Sequence, residues 1–408
     1  MPPTQSNGFE ELLMMKGIVL PARSFVWIIT VFLCFLFMFT LPTFMQQQSP
    51  SQISAIYGLN YVKPNDDFPP LPSPKTAVIT KSTLTDEHCK KVIELPKFTV
   101  ANSETNQAFF METSGKSYLD SRQSCSVESA ALKSELISKV LFKSPTLDLS
   151  KSDSLCELYY NYDNVEFYTT DLGELLRGTS AEGLEERVAR VVEHRTVHYS
   201  DIARMAAGYK YGGTYLDLDV IVLRSLKHLK DYIVIENGKP ALLMSHSDSP
   251  CNIPEKSQRG RKINPGQFHF TAGHQFPWAV LEDVNRTYDA QRNDRGQTGP
   301  RISSRVAKKM YHIRELLNTQ LTFSEGIKNF SIIPDFTYMA ASFSRIKEEL
   351  WPRRPRSELE WNRLFRCSYA VHYHSNVFNS NKITGDPTKD FFSYLAPNFC
   401  PKSFLTLE

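Results

Sequence analysis

One ten-residue stretch, Gly212-Gly213-Thr214-Tyr215-Leu216-Asp217-Leu218-Asp219-Val220-Ile221, limits most strongly what this chain can fold into. A glycine pair stops a preceding helix, and an apolar strand starts at once. Two carboxylates one residue apart stand on that strand. Side chains at i and i+2 of a strand share a face, so Asp217 and Asp219 are expected to turn toward one point. Paired hard oxygens at one point suit a divalent cation such as Mg²⁺ or Mn²⁺ that carries phosphates. The motif is short, and taken alone it fits an exposed polar strand edge equally well.

The helix before the glycines extends this pattern. Ser200 reads as its N-cap, and Ile202, Met205, Ala206 and Tyr209 form an apolar stripe. Asp201 and Arg204 share a different face three residues apart. On an isolated helix they would be a surface ion pair. Here the helix runs straight into the D-x-D strand, so their face is expected to line the same cleft.

The N-terminus speaks to compartment. From Ser24 to Met45 no residue is charged, and roughly 20 apolar residues suffice to cross a bilayer. Lys16 and Arg23 precede the span, and no charge follows until Lys63, so residues 1–23 are expected to stay cytosolic as a tail. The stretch Pro42-Thr43-Phe44-Met45 makes a poor signal-peptidase site, which favours an uncleaved signal-anchor over a cleaved leader. Residues 46–101, with six prolines between Pro50 and Pro74, read as a stem. Residues 102–408 are the expected luminal domain.

Six cysteines lie beyond the span, enough for three disulfides in an oxidising lumen, with pairing that spacing does not reveal. No C-x-x-C pair argues for zinc. Asn285 and Asn329 head N-glycosylation sequons. A hydrophobic content of 41% over 408 residues supports a substantial core. A net charge of +3 argues against nucleic acid as a partner.

Order is expected from Gln107, where Ala108-Phe109-Phe110-Met111 reads as a buried strand ending at Glu112-Thr113-Ser114-Gly115. Leu132, Leu136, Val140 and Leu141 recur at helical spacing. A strand is expected at Val165 to Tyr168 and a short helix near Leu172 to Arg177. Further strands fall near Ala241 to Ser245 and Phe268 to Thr271, and helices near Trp278 to Ala290 and Ser303 to Leu317. Alternating strands and helices followed by a helical C-terminal half indicate an α/β domain with a mixed, mainly parallel sheet. Ligands of such sheets sit at the carboxyl ends of strands, where Glu112 and the aspartates are expected.

FFMETS (Phe109 to Ser114), CSVESAA (Cys125 to Ala131), SDIARMAAGYKYGGTYLDLDVIVL (Ser200 to Leu223) and AVH (Ala370 to His372) occur in that order. In this the chain resembles the animal Golgi α-1,4-galactosyltransferase and α-1,4-N-acetylglucosaminyltransferase group, over about Gln107 to Pro401. That group includes globotriaosylceramide synthase and insect α-1,4-N-acetylgalactosaminyltransferases. The resemblance implies a GT-A type, Rossmann-like domain in the Golgi lumen that binds a UDP-sugar with Mn²⁺ or Mg²⁺. It implies transfer of galactose or N-acetylgalactosamine, with retention, onto a glycosphingolipid or glycan acceptor. Alternatives are a UDP-N-acetylglucosamine-dependent enzyme acting on glycoprotein glycans, or a membrane-anchored sugar-binding relative without turnover. A haloacid dehalogenase-type D-x-D is disfavoured by Ile221 after Val220.

By position the resemblance makes Asp201, Arg204, Asp217 and Asp219 the catalytic set. It makes Phe110, Glu112, Thr113 and Tyr215 further donor contacts, and His372 a third metal ligand. His372 read without the resemblance is an ordinary core or surface histidine. Departures from the family pattern cluster in the half that faces the acceptor. His374 replaces a Trp, Gln297-Thr298-Gly299-Pro300 lacks a family His, and Pro265 splits an Asn-Gly pair. Asn264, Gly266 and Gly299 are therefore assigned to an acceptor pocket.

Overall fold

The computed structural model describes residues 70–74, 84–191, 193–236, 262–292, 294–312, 321–323, 330–333, 335–338, 346–378 and 381–406. All lie in the second of two units, Asn60–Glu408; the first unit, Met1–Leu59, lies outside the described residues. The expected cytosolic tail, membrane span, most of the stem, the strand near Ala241 to Ser245 and the sequon at Asn329 also fall outside them. No helix among the described residues is long and apolar enough to cross a membrane.

The strands are β1 (Val92–Glu94), β2 (Gln107–Glu112), β3 (Ile137–Phe142), β4 (Thr146–Asp148), β5 (Val165–Thr169), β6 (Gly213–Leu216), β7 (Val220–Val222), β8 (Tyr232–Glu236), β9 (Lys262–Phe270), β10 (Leu321–Phe323), β11 (Phe330–Ile333) and β12 (Ala370–His372). The helices of eight residues or more are α1 (Ser121–Lys133), α2 (Asp153–Asn161), α3 (Arg195–Tyr211), α4 (Gln275–Thr287), α5 (Pro300–Met310), α6 (Glu358–Phe365) and α7 (Phe391–Phe399).

Among the described residues, eight strands form one sheet in the order β10-β11-β8-β9-β6-β2-β3-β5. The pairs β5–β3, β3–β2, β2–β6 and β11–β8 are parallel, and β9 runs antiparallel between β6 and β8. The mixed, mainly parallel sheet expected from the alternation of elements is therefore present. All six residues of β2 are buried, because both of its faces are covered. Phe109 and Met111 pack with Tyr215 and Phe268 on one face, and Ala108 and Phe110 pack with Val140 and Leu155 on the other. β2 has β3 on one side and β6 on the other, so a crevice opens where chain direction diverges.

Several expectations need correction. Leu136, Val140 and Leu141 are not on a helix: α1 ends at Lys133, and Val140 and Leu141 lie on β3. A spacing of four residues satisfies both a helical face and a strand face, and parallel pairing with β2 and β5 decides for the strand. Ser200 is not an N-cap. α3 begins five residues earlier, with His194 at its N-cap, because His198 and Tyr199 are buried and carry the helix back. Nor are the two aspartates on a strand, since β6 stops at Leu216 and β7 starts at Val220.

The stem expected to reach Ala101 gives way earlier to packed chain. β1 pairs with β4, Cys89 is bonded to Cys156, and Phe98 is buried in the core. A second disulfide, Cys125–Cys400, ties α1 to the C-terminal helices, and Cys367 is also disulfide-bonded.

Candidate active site

Gly212 and Gly213 take φ of +65° and +102°, backbone that L side chains rarely adopt, which lets α3 turn directly into β6. A Cβ on Gly213 would come within 2.7 Å of Gln107, so glycine also permits the close approach of β6 to β2. β6 then ends in a tight turn, Asp217-Leu218-Asp219, closed by Val220 N donating to Asp217 O at 3.2 Å. The aspartates converge through this turn and not through strand pleat.

The partner of the turn comes from far along the chain. β7 pairs antiparallel with β12, which sets His372 opposite Val220. His372 Nε2 lies 3.0 Å from Asp219 Oδ1 and 3.8 Å from Asp217 Oδ2. One donor atom from each of Asp217, Asp219 and His372 falls within 4.8 Å of the others. Ser375 N donates to Asp219 Oδ2 at 2.8 Å and holds that carboxylate in place. His372 Nδ1 is buried with no hydrogen-bond partner among the described residues.

Two carboxylates and one imidazole converging on one point can hold a divalent cation. Burial raises the Asp217 carboxyl, and the Arg204 and His372 charges only partly counter it. Burial also opposes the charge on Asp219, but the adjacent His372 outweighs it and holds that carboxyl well below its usual range. His372 is raised for the reciprocal reason, its burial outweighed by Asp219. The three groups thus form a compact charge centre that a cation can organise.

Arg204 ties this centre to α3. Its guanidinium donates to Ser200 O at 3.1 Å, Ser200 Oγ at 2.7 Å and Pro265 O at 3.2 Å. It reaches Asp217 Oδ1 at 3.0 Å and Asp201 Oδ1 at 3.4 Å, and sits 4.8 Å over the Tyr215 ring. Tyr215 in turn donates to Asp217 Oδ1 at 2.7 Å. Pro265 is placed by an irregularity in β9: Ile233 pairs with Phe268 but Val234 pairs with Asn264, so residues 265–267 bulge toward the turn. Asp217 N donates to Gly266 O at 2.9 Å there.

A cavity of about 740 Å³ is lined by Asp201, Arg204, Asp217, Asp219 and His372, with Thr113, Asn264 and His374 on its walls. The expected residues Tyr215, Gly266 and Gly299 adjoin it, since a Cβ on Gly266 would press on Asp217 and one on Gly299 on Asp201. Two expected donor contacts are not brought there. Phe110 points into the core on the opposite sheet face, because strand alternation separates it from Phe109. Glu112 accepts from Ser114 Oγ and Gly115 N and caps its own turn. Asn285 lies on α4 with its amide donating to Ser180 O at 2.9 Å.

Residues not assigned to the site from the sequence also serve it. Ser200 and Ser375 orient Arg204 and Asp219, Glu236 lines the cavity, and Thr298 Oγ1 donates to Asp201 Oδ2 at 2.9 Å. The i, i+4 spacing of Ser200 and Arg204 was a usable signal; the others had none. His374, at φ +51°, stacks its ring 3.9 Å from that of His372.

Residues 120–237 match the family model described as glycosyltransferase sugar-binding region containing DXD motif, and residues 269–407 match the alpha 1,4-glycosyltransferase conserved region. The first contains Asp217 and Asp219, the second His372. The chain is 26% identical over 297 residues to lactosylceramide 4-alpha-galactosyltransferase of Gorilla gorilla gorilla, covering 72% of this chain and 81% of the relative. It is 25% identical over 315 residues to human alpha-1,4-N-acetylglucosaminyltransferase, covering 73% and 79%. Among solved structures, the galactosyltransferase LgtC with donor and acceptor sugar analogues matches at 14% identity and a TM-score of 0.30, over 74% of this chain and 97% of that one.

Proposed function

On the premise that this chain is an enzyme of the α-1,4-glycosyltransferase group, as its two family regions and its relatives make it, we propose that it moves galactose or N-acetylgalactosamine from a UDP-sugar. The sugar goes, with retention and in α-1,4 linkage, to a terminal sugar of a glycosphingolipid or related glycan. The domain is of the GT-A type and works in the Golgi lumen behind the N-terminal signal-anchor. One observation carries this reading: Asp217, Asp219 and His372 converge within 4.8 Å, in the same cavity as the Asp201–Arg204 pair.

A divalent cation, when bound by Asp217, Asp219 and His372, supplies Lewis-acid neutralisation of the departing diphosphate. The remaining work belongs to the chain. Arg204 and Tyr215 fix the Asp217 carboxylate in one orientation, so no reorganisation is needed as charge develops. Asp201, held by Arg204 and Thr298, offers its free lone pairs to hydroxyls of the donor sugar. Attack on the face from which UDP leaves needs positioning more than a strong base, which suits a site built from buried, cross-braced side chains.

Asp219→Asn tests the assignment, with the full chain assayed against UDP-galactose, UDP-N-acetylgalactosamine and UDP-N-acetylglucosamine and a panel of β-linked acceptors. Metal-dependent transfer is expected to vanish in a chain that still unfolds cooperatively, at a lower metal-free thermal midpoint because His372 loses its buried anionic partner. Retained activity in the Asn variant would remove Asp219 from the site. Preference for UDP-N-acetylglucosamine would move the donor to that of the human relative.

A further inference from the structure

The segment that follows α4 is fastened to α3 at three points. His198 is fully buried and bonds Tyr288 OH through Nδ1 at 2.9 Å and Asp294 O through Nε2 at 3.1 Å. A carbonyl can only accept, so Nε2 carries the proton and Nδ1 accepts from the tyrosine. Burial lowers the basicity of this ring and favours that neutral form. Gln297 closes the segment on itself, accepting from Asp289 N at 2.9 Å and donating to Arg292 O at 2.7 Å. The third point is Thr298, 2% exposed, whose hydroxyl donates to Asp201.

This last contact differs from the other two because it ends on a group that lines the cavity. Asp201 Oδ2 meets Thr298 on one side and Gly299 on the other, where a Cβ would stand 2.5 Å away. Gly299 leaves that space open, since a side chain there would press on the Asp201 carboxylate. Gly299 also precedes the first turn of α5, where the helix dipole favours a carboxylate. Arg204 stands farther off, 3.4 Å from Oδ1. The orientation of the Asp201 carboxylate is therefore set by Thr298 more than by its own helix neighbour.

We infer that Thr298 is a positioning residue for the donor sugar: acting through Asp201, it sets the plane in which that carboxylate meets the sugar hydroxyls. The inference rests on the proposed role of Asp201. Thr298 itself does not touch the cation centre, whose braces are Ser375 on Asp219 and Arg204 on Asp217. Loss of the hydroxyl should weaken use of the sugar and leave the hold on UDP unchanged.

The test uses the full chain with Mn²⁺ and compares Thr298→Val, Thr298→Ser and Asp201→Asn. A hydrogen bond to a buried charged group corresponds to roughly 10- to 100-fold in kcat/KM for the UDP-sugar, the loss expected of Thr298→Val. The midpoint shift produced by UDP alone should be unchanged in that variant, and Thr298→Ser should recover turnover to within about threefold. Adding Thr298→Val to Asp201→Asn should change turnover by no more than about twofold, because the two act as one unit. If Val disturbs folding, Ser against Ala at 298 gives the same comparison, since that pair differs by the hydroxyl alone. Wild-type kcat/KM in Thr298→Val, or equal losses in UDP affinity and turnover, overturns the inference. A parent chain that binds no UDP overturns the proposed function and this inference with it. A parent that binds and turns over while Thr298→Val is indifferent overturns this inference alone.

Discussion

Replacing Gly266 by Ala asks the cation centre to accept one methyl group. A Cβ there would stand 2.6 Å from Asp217 Oδ2, 2.9 Å from Asn264 Oδ1 and 3.0 Å from His372 Cε1. Gly266 is not among the residues with positive φ, so the effect is one of space alone. Ordinary contact begins at 3.4 Å, and Asp217 Oδ2 would have to retreat by about 0.8 Å, the difference between 2.6 and 3.4 Å. The carboxylate has little freedom to do so, because Tyr215 and Arg204 hold Oδ1. Metal–ligand distances tolerate only about 0.2 Å. Displacement of one ligand should weaken Mn²⁺ binding about 10- to 100-fold, the range seen when the support of a metal ligand is lost, or about 1.4 to 2.7 kcal/mol.

The assay is the thermal midpoint of the full chain titrated with Mn²⁺ in the presence of UDP, against a chelator-treated control. The control matters because overpacking carries its own cost of about 1–3 kcal/mol, which appears with no metal present. The expected result is a lower metal-free midpoint together with a rightward shift of the Mn²⁺ dependence. An Ala variant with the parent's Mn²⁺ dependence would refute the view that Gly266 keeps clear the space beside Asp217 and His372.

Two further outcomes follow from the bracing of the site and of the C-terminal helices. Arg204→Met leaves Asp217 without its nearest cation and Pro265 O without its donor, so urea unfolding should show a loss of roughly 3 kcal/mol; a change below about 0.5 kcal/mol would make the pair dispensable. Lys at 204 should recover only part of this, since one ammonium cannot reproduce the guanidinium fork. The Arg354 hydrogen bond, with help from Ser357 N at the start of α6, depresses the Glu360 carboxyl to about 2. A depressed carboxyl stabilises the fold above its unfolded value of about 4.3 and loses that contribution as pH falls. The stability difference between the parent and Glu360→Gln should be well under 1 kcal/mol at neutral pH, given the group's exposure, and should vanish between pH 4.3 and about 2; a difference constant over that window would exclude Glu360 as its source.

Where local pattern and tertiary role coincide, the sequence was a sufficient guide. Ser200 to Leu223 announces a helix, a glycine stop and an acid pair, because helix periodicity, glycine φ and carboxylate spacing are all local properties. Errors came where two local rules agree on the same residues. Leu136 and Val140 satisfy a helix and a strand alike, and the pairing of β3 with β2 and β5 put Val140 on a strand. Phe110 lies in a matching motif yet faces the core, since a one-residue step along a strand reverses the side chain.

The amino-acid sequence by itself determined the alternating α/β architecture, the D-x-D and the Asp201–Arg204 face of α3. Only the tertiary structure decided what completes the site. The pairing of β7 with β12 delivers His372, the bulge in β9 delivers Gly266 and Pro265, and the segment after α4 delivers Thr298 and Gly299. Each arrives from a remote part of the chain through sheet register or a packed loop. Such contacts leave no periodic trace in sequence, because they depend on which surfaces the folded core brings together and not on the residues beside them.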